Sequence, residues 1–374
     1  MSATFSVEAT RETSIEAASR GARLDAIQVL RAVAAIGVVF THAITRIGVT
    51  FPQGDHESLF AGPHGQITVG DAGVDLFFVI SGFIMLHVHR DDFAKPGAPL
   101  HFMTRRILRI VPIYWLLTAF ALLFLIFAPE LFTTHYKSAD IPWILGSFFF
   151  LPIAPPGGTL NPLVGVGWTL NYEMFFYVVF AITLLLPRLR GLQLIFLVFG
   201  GLIVTGVVLP PSDPAFGFFT NWLLLDFLLG LAIAAWSLSG RRLSSLTVSI
   251  ALLIAVGCLA VTIFVPPPEE GPLRFVAWGI PAALVVLAMR NVVIPDGAFA
   301  RLATMLGDAS YSIYLFQFFA LPAWARVMRV AGAQAVPFDL NVMLLTVLVT
   351  VTGFYGWFLI ERPIGRLARS SLGK

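Results

Sequence analysis

Arg31 and His42 are the two residues whose types and spacing point most directly to chemistry. They stand eleven positions apart in an apolar segment, and at 3.6 residues per turn eleven steps close almost three helical turns, so both side chains fall on one stripe. The stripe begins with a cation at one membrane edge and ends, roughly 16 Å further at the 1.5 Å rise, with a titratable imidazole inside the span. An imidazole near neutrality is a general base, and a guanidinium is a bidentate match for phosphate. Ionisable side chains inside a bilayer are costly and mark functional sites. The pair therefore predicts an enzyme set into a membrane.

A general base needs a neighbour that sets its tautomer and stabilises its cation. Asp75, close to the start of the second apolar segment, and Glu173, just inside the fourth with Asn171, reach a depth similar to that of His42. Either carboxylate is the expected partner. At the opposite edge runs Thr104-Arg105-Arg106-Ile107-Leu108-Arg109-Ile110-Val111-Pro112, in which Arg106 and Arg109 share a helical face. With Arg105 and Arg31 they make a cationic patch suited to a phosphorylated ligand, although Arg105 also fits a lipid-phosphate anchor. Asp226 is a hydrogen-bond partner or substrate contact within the sixth segment. Trp168, like Tyr114, Trp115 and Trp222, sits at a segment end as an interfacial anchor that can also touch substrate. His87, His89 and His101 lack the cysteine or acidic cluster a metal needs, so no metal is expected.

Positioning these residues requires membrane helices. The 374 residues are 57% hydrophobic and 12% charged, and the mean hydropathy is +0.86, which excludes an ordinary soluble domain. The lone cysteine, Cys258, lies in an apolar run and excludes an internal disulfide framework. Apolar runs long enough for a hydrocarbon core of ~30 Å occur near 27–47, 72–89, 107–128, 168–187, 191–209, 218–238, 245–265, 273–289, 310–330 and 340–360. An all-α integral membrane protein of about ten spans follows. Turns on one side carry Arg90, Lys95, Arg105, Arg106, Arg188, Arg190, Arg241, Arg242, Arg290, Arg301, Arg362, Arg366, Arg369 and Lys374; the other side keeps only Arg46, Lys137, Arg274, Arg326 and Arg329. By the positive-inside rule both termini are cytoplasmic, and cations set beside spans imply no nucleic-acid partner. Residues 1–22 read as a disordered cytoplasmic tail with no signal peptide, followed by one membrane domain over 23–374. The long connection 129–167 holds the short apolar run Trp143–Leu151, which predicts an interfacial or re-entrant helix near 142–152 that caps a cavity.

Several motifs, in order over residues 24–363, resemble the membrane-bound acyltransferase 3 family, and within it the exopolysaccharide and O-antigen acetyltransferases. They are Arg31-x10-His42, Gly73-Val-Asp75-Leu-Phe-Phe-Val-Ile-Ser81-Gly82-Phe83, Arg105-Arg-Ile-Leu-Arg109-Ile-Val-Pro112, Trp168-Thr-Leu-Asn-Tyr-Glu173, Ser310-Tyr-Ser-Ile-Tyr314-Leu-Phe-Gln317 and Glu361-Arg-Pro363. The resemblance implies transfer of an acetyl group from cytoplasmic acetyl-coenzyme A to a sugar hydroxyl in a bacterial inner membrane, with Arg31, His42, Arg106 and Arg109 functional. Many members carry a histidine where this chain has Gln317, so no proton transfer is assigned there. Many also continue into an esterase-like domain, for which this chain shows no Gly-x-Ser-x-Gly. The expected partners are acetyl-CoA, a polysaccharide or lipid-linked carbohydrate acceptor, and membrane lipids. His42 acts as the base, or as a nucleophile that carries the acetyl group. The rival class is a transporter of lipid-linked sugars or protons, which predicts a duplication of broken helices that the sequence does not show.

Overall fold

The computed structural model describes residues 2–52, 58–62, 65–128, 140–241, 243–290 and 292–372, with side chains between Asp25 and Leu367 apart from 61–66. The segment 1–22 therefore lies outside the described side chains. Helices dominate: α1 (Ser2–Thr50), α2 (Ala72–His89), α3 (Ala98–Phe127), α4 (Ile141–Phe149), α5 (Trp168–Thr183), α6 (Arg188–Val208), α7 (Pro214–Phe219), α8 (Leu224–Leu238), α9 (Ser245–Phe264), α10 (Pro272–Arg274), α11 (Ile280–Met289), α12 (Ala298–Asp308), α13 (Ser310–Val330), α14 (Phe338–Gly356) and α15 (Arg362–Leu372). The two-residue strands Ala61–Gly62 and Gly65–Gln66 pair antiparallel outside the bundle.

Each of the ten expected apolar runs contains helix. Eight helical stretches in the described residues have the length and apolarity to cross a membrane: Asp25–Thr50, Val69–His89, Ala98–Phe127, Arg188–Val208, Pro214–Leu238, Ser245–Phe264, Pro272–Met289 and Phe338–Leu367. The other two expected runs are α5, with only 16 residues, and α13, whose 21 residues include Tyr311, Tyr314, Gln317 and Arg326. The first is short of a span's length, and the second gives up apolarity to Tyr311, Tyr314 and Gln317, which are buried in the bundle, and to the exposed Arg326.

Between membrane helices, association depends on close backbone approach more than on hydrophobic burial. α2 and α8 make the most extensive helix pair, and they cross where Gly82 and Gly230 meet: a Cβ on Gly82 would strike the Phe227 carbonyl, and one on Gly230 would strike the Val79 carbonyl. Gly230→Leu is expected to abolish recovery of monodisperse protein from detergent, whereas Gly257→Leu, facing open space on α9, is expected to be recovered normally. Size-exclusion chromatography of the two variants checks this.

Asp140 starts α4 by accepting from Trp143 N at 3.0 Å, and Phe150 ends it in the left-handed region at φ 59°. Trp143 Nε1 ties the helix to the Asn161 carbonyl at 2.9 Å, and the exposed Ile141, Leu145 and Phe149 form an outward apolar face. The short helix falls in the expected stretch. It packs on α3 and contributes no residue to the cavity described below, so it does not cap it. The amphipathic α12, with Phe299, Leu302 and Met305 exposed, was not expected because eleven residues interrupted by Arg301 do not read as a span.

Candidate active site

An open cleft lies among α1, α2, α3, α5 and α13. Arg31 reaches it from α1, Arg106 and Arg109 from α3, and Glu173 and Tyr177 from α5. Ring and aliphatic side chains of Phe77, Phe78, Ile80, Ile84 and Met85 form the α2 wall. A single turn of α3 places Arg106 and Arg109 side by side, as their i, i+3 spacing requires. Arg105 points elsewhere: it is exposed and lines no part of the cavity, which fits the anchor reading better than the ligand one.

The arginines are held by a network. Tyr177 OH donates to Glu173 Oε1, and Ser81 Oγ donates to the same oxygen at 3.2 Å. The Arg106 guanidinium lies 5.6 Å from the Phe102 ring centre and 5.7 Å from that of Tyr177. Arg31 Nη1 donates to Gln28 Oε1 at 3.2 Å, and Gln28 Nε2 donates to Asp308 Oδ1 at 2.7 Å. Burial lifts the Asp308 carboxyl above its ordinary range, against the pull of Arg31 and Arg109. Glu361 accepts from Ser312 Oγ at 2.5 Å and is in electrostatic reach of Arg31 and Arg109. Three guanidinium groups thus lie among the carboxylates Glu173, Glu361 and Asp308, and their planar N–H donors at the cavity's edge suit the oxygens of an anion.

Tyr314 closes the other end. Its hydroxyl donates to the Val166 carbonyl at 2.9 Å and lies 3.0 Å from Thr169 Oγ1. One turn further along α13, Gln317 Oε1 lies 3.0 Å from His42 Nδ1, and Gln317 Nε2 donates to the Tyr314 carbonyl at 2.8 Å. Asp71, in the short helical turn Val69–Asp71, is a carboxylate in electrostatic reach of His42. That turn is brought against α1 by the packing of Gly70 on Gly37 and Thr41.

The structure separates groups that equal depth had placed together. Neither Glu173 nor Asp75 hydrogen-bonds His42. Glu173 turns toward Ser81, Tyr177 and the arginines; Asp75 is fully buried and bonds Arg274 Nη2 at 2.7 Å. Depth along a span fixes height but not the rotation of the helix, and on α2 the carboxylate at position 75 faces α10. The supposed substrate contacts also lie outside the cavity. Asn171 is buried, Trp168 packs edge-on to Tyr172 at 5.9 Å, and Asp226 is buried in electrostatic contact with Asp75. Arg274, Asp71 and Tyr177 were missed. In the sequence Arg274 reads as a turn cation, and Glu361 and Gln317 are visible only as members of motifs. Among the described residues no group of three or more His, Cys, Asp or Glu side chains could hold a metal ion.

Arg274 also lies 4.6 Å from the Trp278 ring centre and donates to the Glu269 carbonyl at 3.0 Å, so it is clamped between loop and core. Asp75→Ala would leave this buried guanidinium without its carboxylate. Removing one partner of a buried pair costs about 3–5 kcal/mol. Asp226→Asn is expected to be tolerated instead, because no donor meets either Asp226 oxygen among the described residues and an amide can donate to Asp75 Oδ1, which also has none. Thermal unfolding in detergent reads the difference: a large fall in Tm for Asp75→Ala and little or none for Asp226→Asn.

A family model described as an acyltransferase domain matches residues 24–362. The chain is 34% identical over 319 residues to "Exopolysaccharide production protein ExoZ" of Rhizobium meliloti (strain 1021), covering 82% of this chain and 92% of that protein. It is 26% identical over 289 residues to "Acyltransferase MdmB" of Streptomyces mycarofaciens, covering 70% of each. No solved structure matches it.

Proposed function

Because this chain belongs to the acyltransferase 3 family, we propose that it is an O-acetyltransferase moving the acetyl group of acetyl-CoA to a hydroxyl of an exopolysaccharide or a lipid-linked precursor. The observation that carries the reading is the cavity with what adjoins it: three arginines at one end, an apolar wall in the middle and Tyr314 at the other, with His42 of α1 beyond the cavity lining and joined to Tyr314 through Gln317. Arg31, Arg106 and Arg109 hold the donor phosphates, and the α2 wall packs against the apolar parts of the donor's arm. The distance along α1 from Arg31 to His42 matches the reach of that arm. The relative named for exopolysaccharide production supports a carbohydrate acceptor.

His42 takes the proton of the attacking hydroxyl as its oxygen bonds to the thioester carbon; the C–S bond then breaks, and the proton passes to the departing sulfur. Asp71 supplies the negative charge that favours the transient imidazolium. Holding both substrates in one cavity supplies the proximity contribution. The arginine-rich end faces the cytoplasm, the source of acetyl-CoA, with both termini on that side of the bacterial inner membrane.

Protein in lipid nanodiscs, given acetyl-CoA labelled in the acetyl group, should transfer label to exopolysaccharide and release free CoA in equal amount. Cells lacking the protein should lose those acetyl esters from their surface polysaccharide. Vesicle uptake of lipid-linked sugar or protons with no acetyl transfer would favour a transporter and sink the proposal.

A further inference from the structure

Gln317 makes two hydrogen bonds, and together they determine which nitrogen of His42 carries the hydrogen. Its Nε2 lies 2.8 Å from the main-chain carbonyl of Tyr314, and its Oε1 lies 3.0 Å from His42 Nδ1. A carbonyl oxygen can only accept, so turning the amide over would set two acceptors against each other at Tyr314. Oε1 is therefore the atom that faces the imidazole. It too can only accept, which obliges Nδ1 to donate. The amide is not free to rearrange: Gln317 is 0% exposed, and the Tyr314 side chain one turn away is anchored to Val166.

We infer that Gln317 is a positioning residue that holds neutral His42 as the Nδ1–H tautomer and leaves the lone pair of Nε2 as the atom that receives the acceptor's proton. The inference rests on the reading of His42 as the base. In the transfer step the substrate O–H bond breaks and an Nε2–H bond forms. The ring becomes imidazolium with Nδ1–H still bonded to Gln317, and Nε2 later gives its proton to the leaving sulfur. A neutral amide can set the tautomer this way but adds no charge, so the counter-charge falls to Asp71, a carboxylate within electrostatic reach of the ring. Position 317 thus takes the orienting half of the task that a single carboxylate performs in a serine hydrolase triad.

The test uses full-length protein in nanodiscs with 15N-labelled histidine, the His42 signals being assigned by their loss in His42→Gln. A protonated Nδ1 and a bare Nε2 at neutral pH are expected; the opposite tautomer overturns the proposal. In Gln317→Leu, a mixture of tautomers is expected with kcat lowered about tenfold or more and donor KM unchanged. Gln317→Glu keeps an acceptor oxygen and should recover both the Nδ1–H tautomer and most of kcat. Equal losses in the Leu and Glu variants, or an unchanged tautomer and kcat in Gln317→Leu, also overturn it. If Gln317→Leu does not fold, the native spectrum decides alone. That spectrum is read without substrate, so failure of the acyl-transfer reading and failure of the tautomer assignment register separately.

Discussion

His42→Ala is expected to lower acyl transfer by about 10²–10⁴-fold, the usual contribution of a general base, while donor binding persists. His42 is half-buried on α1, and its side chain meets that of Gln317. Truncation therefore removes the base without leaving an unpaired charge in the bundle. The orphaned Gln317 Oε1 costs about 1–3 kcal/mol, which a well-packed membrane domain tolerates. Acyl transfer and acetyl-CoA titration, measured on the same purified sample, separate the effects. Near-native turnover by a folded variant would remove His42 from the chemistry. Loss of donor binding together with turnover would instead move it to the binding site.

Arg109→Ala and Arg106→Ala are expected to weaken acetyl-CoA binding by about 10- to 100-fold each, the value of one charge-assisted hydrogen bond of 1.5–3 kcal/mol. Arg109 is the more exposed of the two and so the better placed to meet a phosphate, whereas Arg106 lies over the Phe102 and Tyr177 rings and its loss should also loosen Tyr177. Lysine should rescue Arg109 partly, since it supplies the charge without the planar fork. Arg105→Ala, whose side chain lies outside the cavity, is expected to leave donor affinity unchanged. If titration shows Arg105→Ala as damaging as Arg109→Ala, the arginines act as a diffuse surface charge and the cavity is not the donor site.

The helical membrane class was legible because apolar runs of span length are a strong signal, and the short α4 was legible because Trp143–Leu151 is apolar yet too short to cross. The arginine end was legible for a similar reason: Arg106 and Arg109 are close in sequence, and local spacing fixes a shared face. Pairings across long separations were not. Asp75 and Arg274 come from different helices whose rotations depend on packing contacts such as Gly82 against Gly230, and hydropathy carries no information about rotation. Glu173 shows the same limit. Its height was estimated from where α5 begins, yet its orientation comes from Ser81 and Tyr177. Gln317 drew notice only as a departure from a resembling family, and its part in holding the imidazole emerged from two hydrogen-bond distances.

The Asp75–Arg274 bond joins residues 199 positions apart. At a synthesis rate of about 5–20 residues per second, a ribosome needs roughly 10–40 s after making α2 before it can supply the guanidinium. Throughout that interval the nascent chain holds an aspartate at span depth with its eventual ion partner still unmade, and such a group is expensive in hydrocarbon. Insertion of this protein therefore has a built-in waiting period, during which α2 must be sheltered by water, by the insertion machinery or by α1. A chain released just before Arg274 should be cleared by membrane quality control much faster than one released just after it.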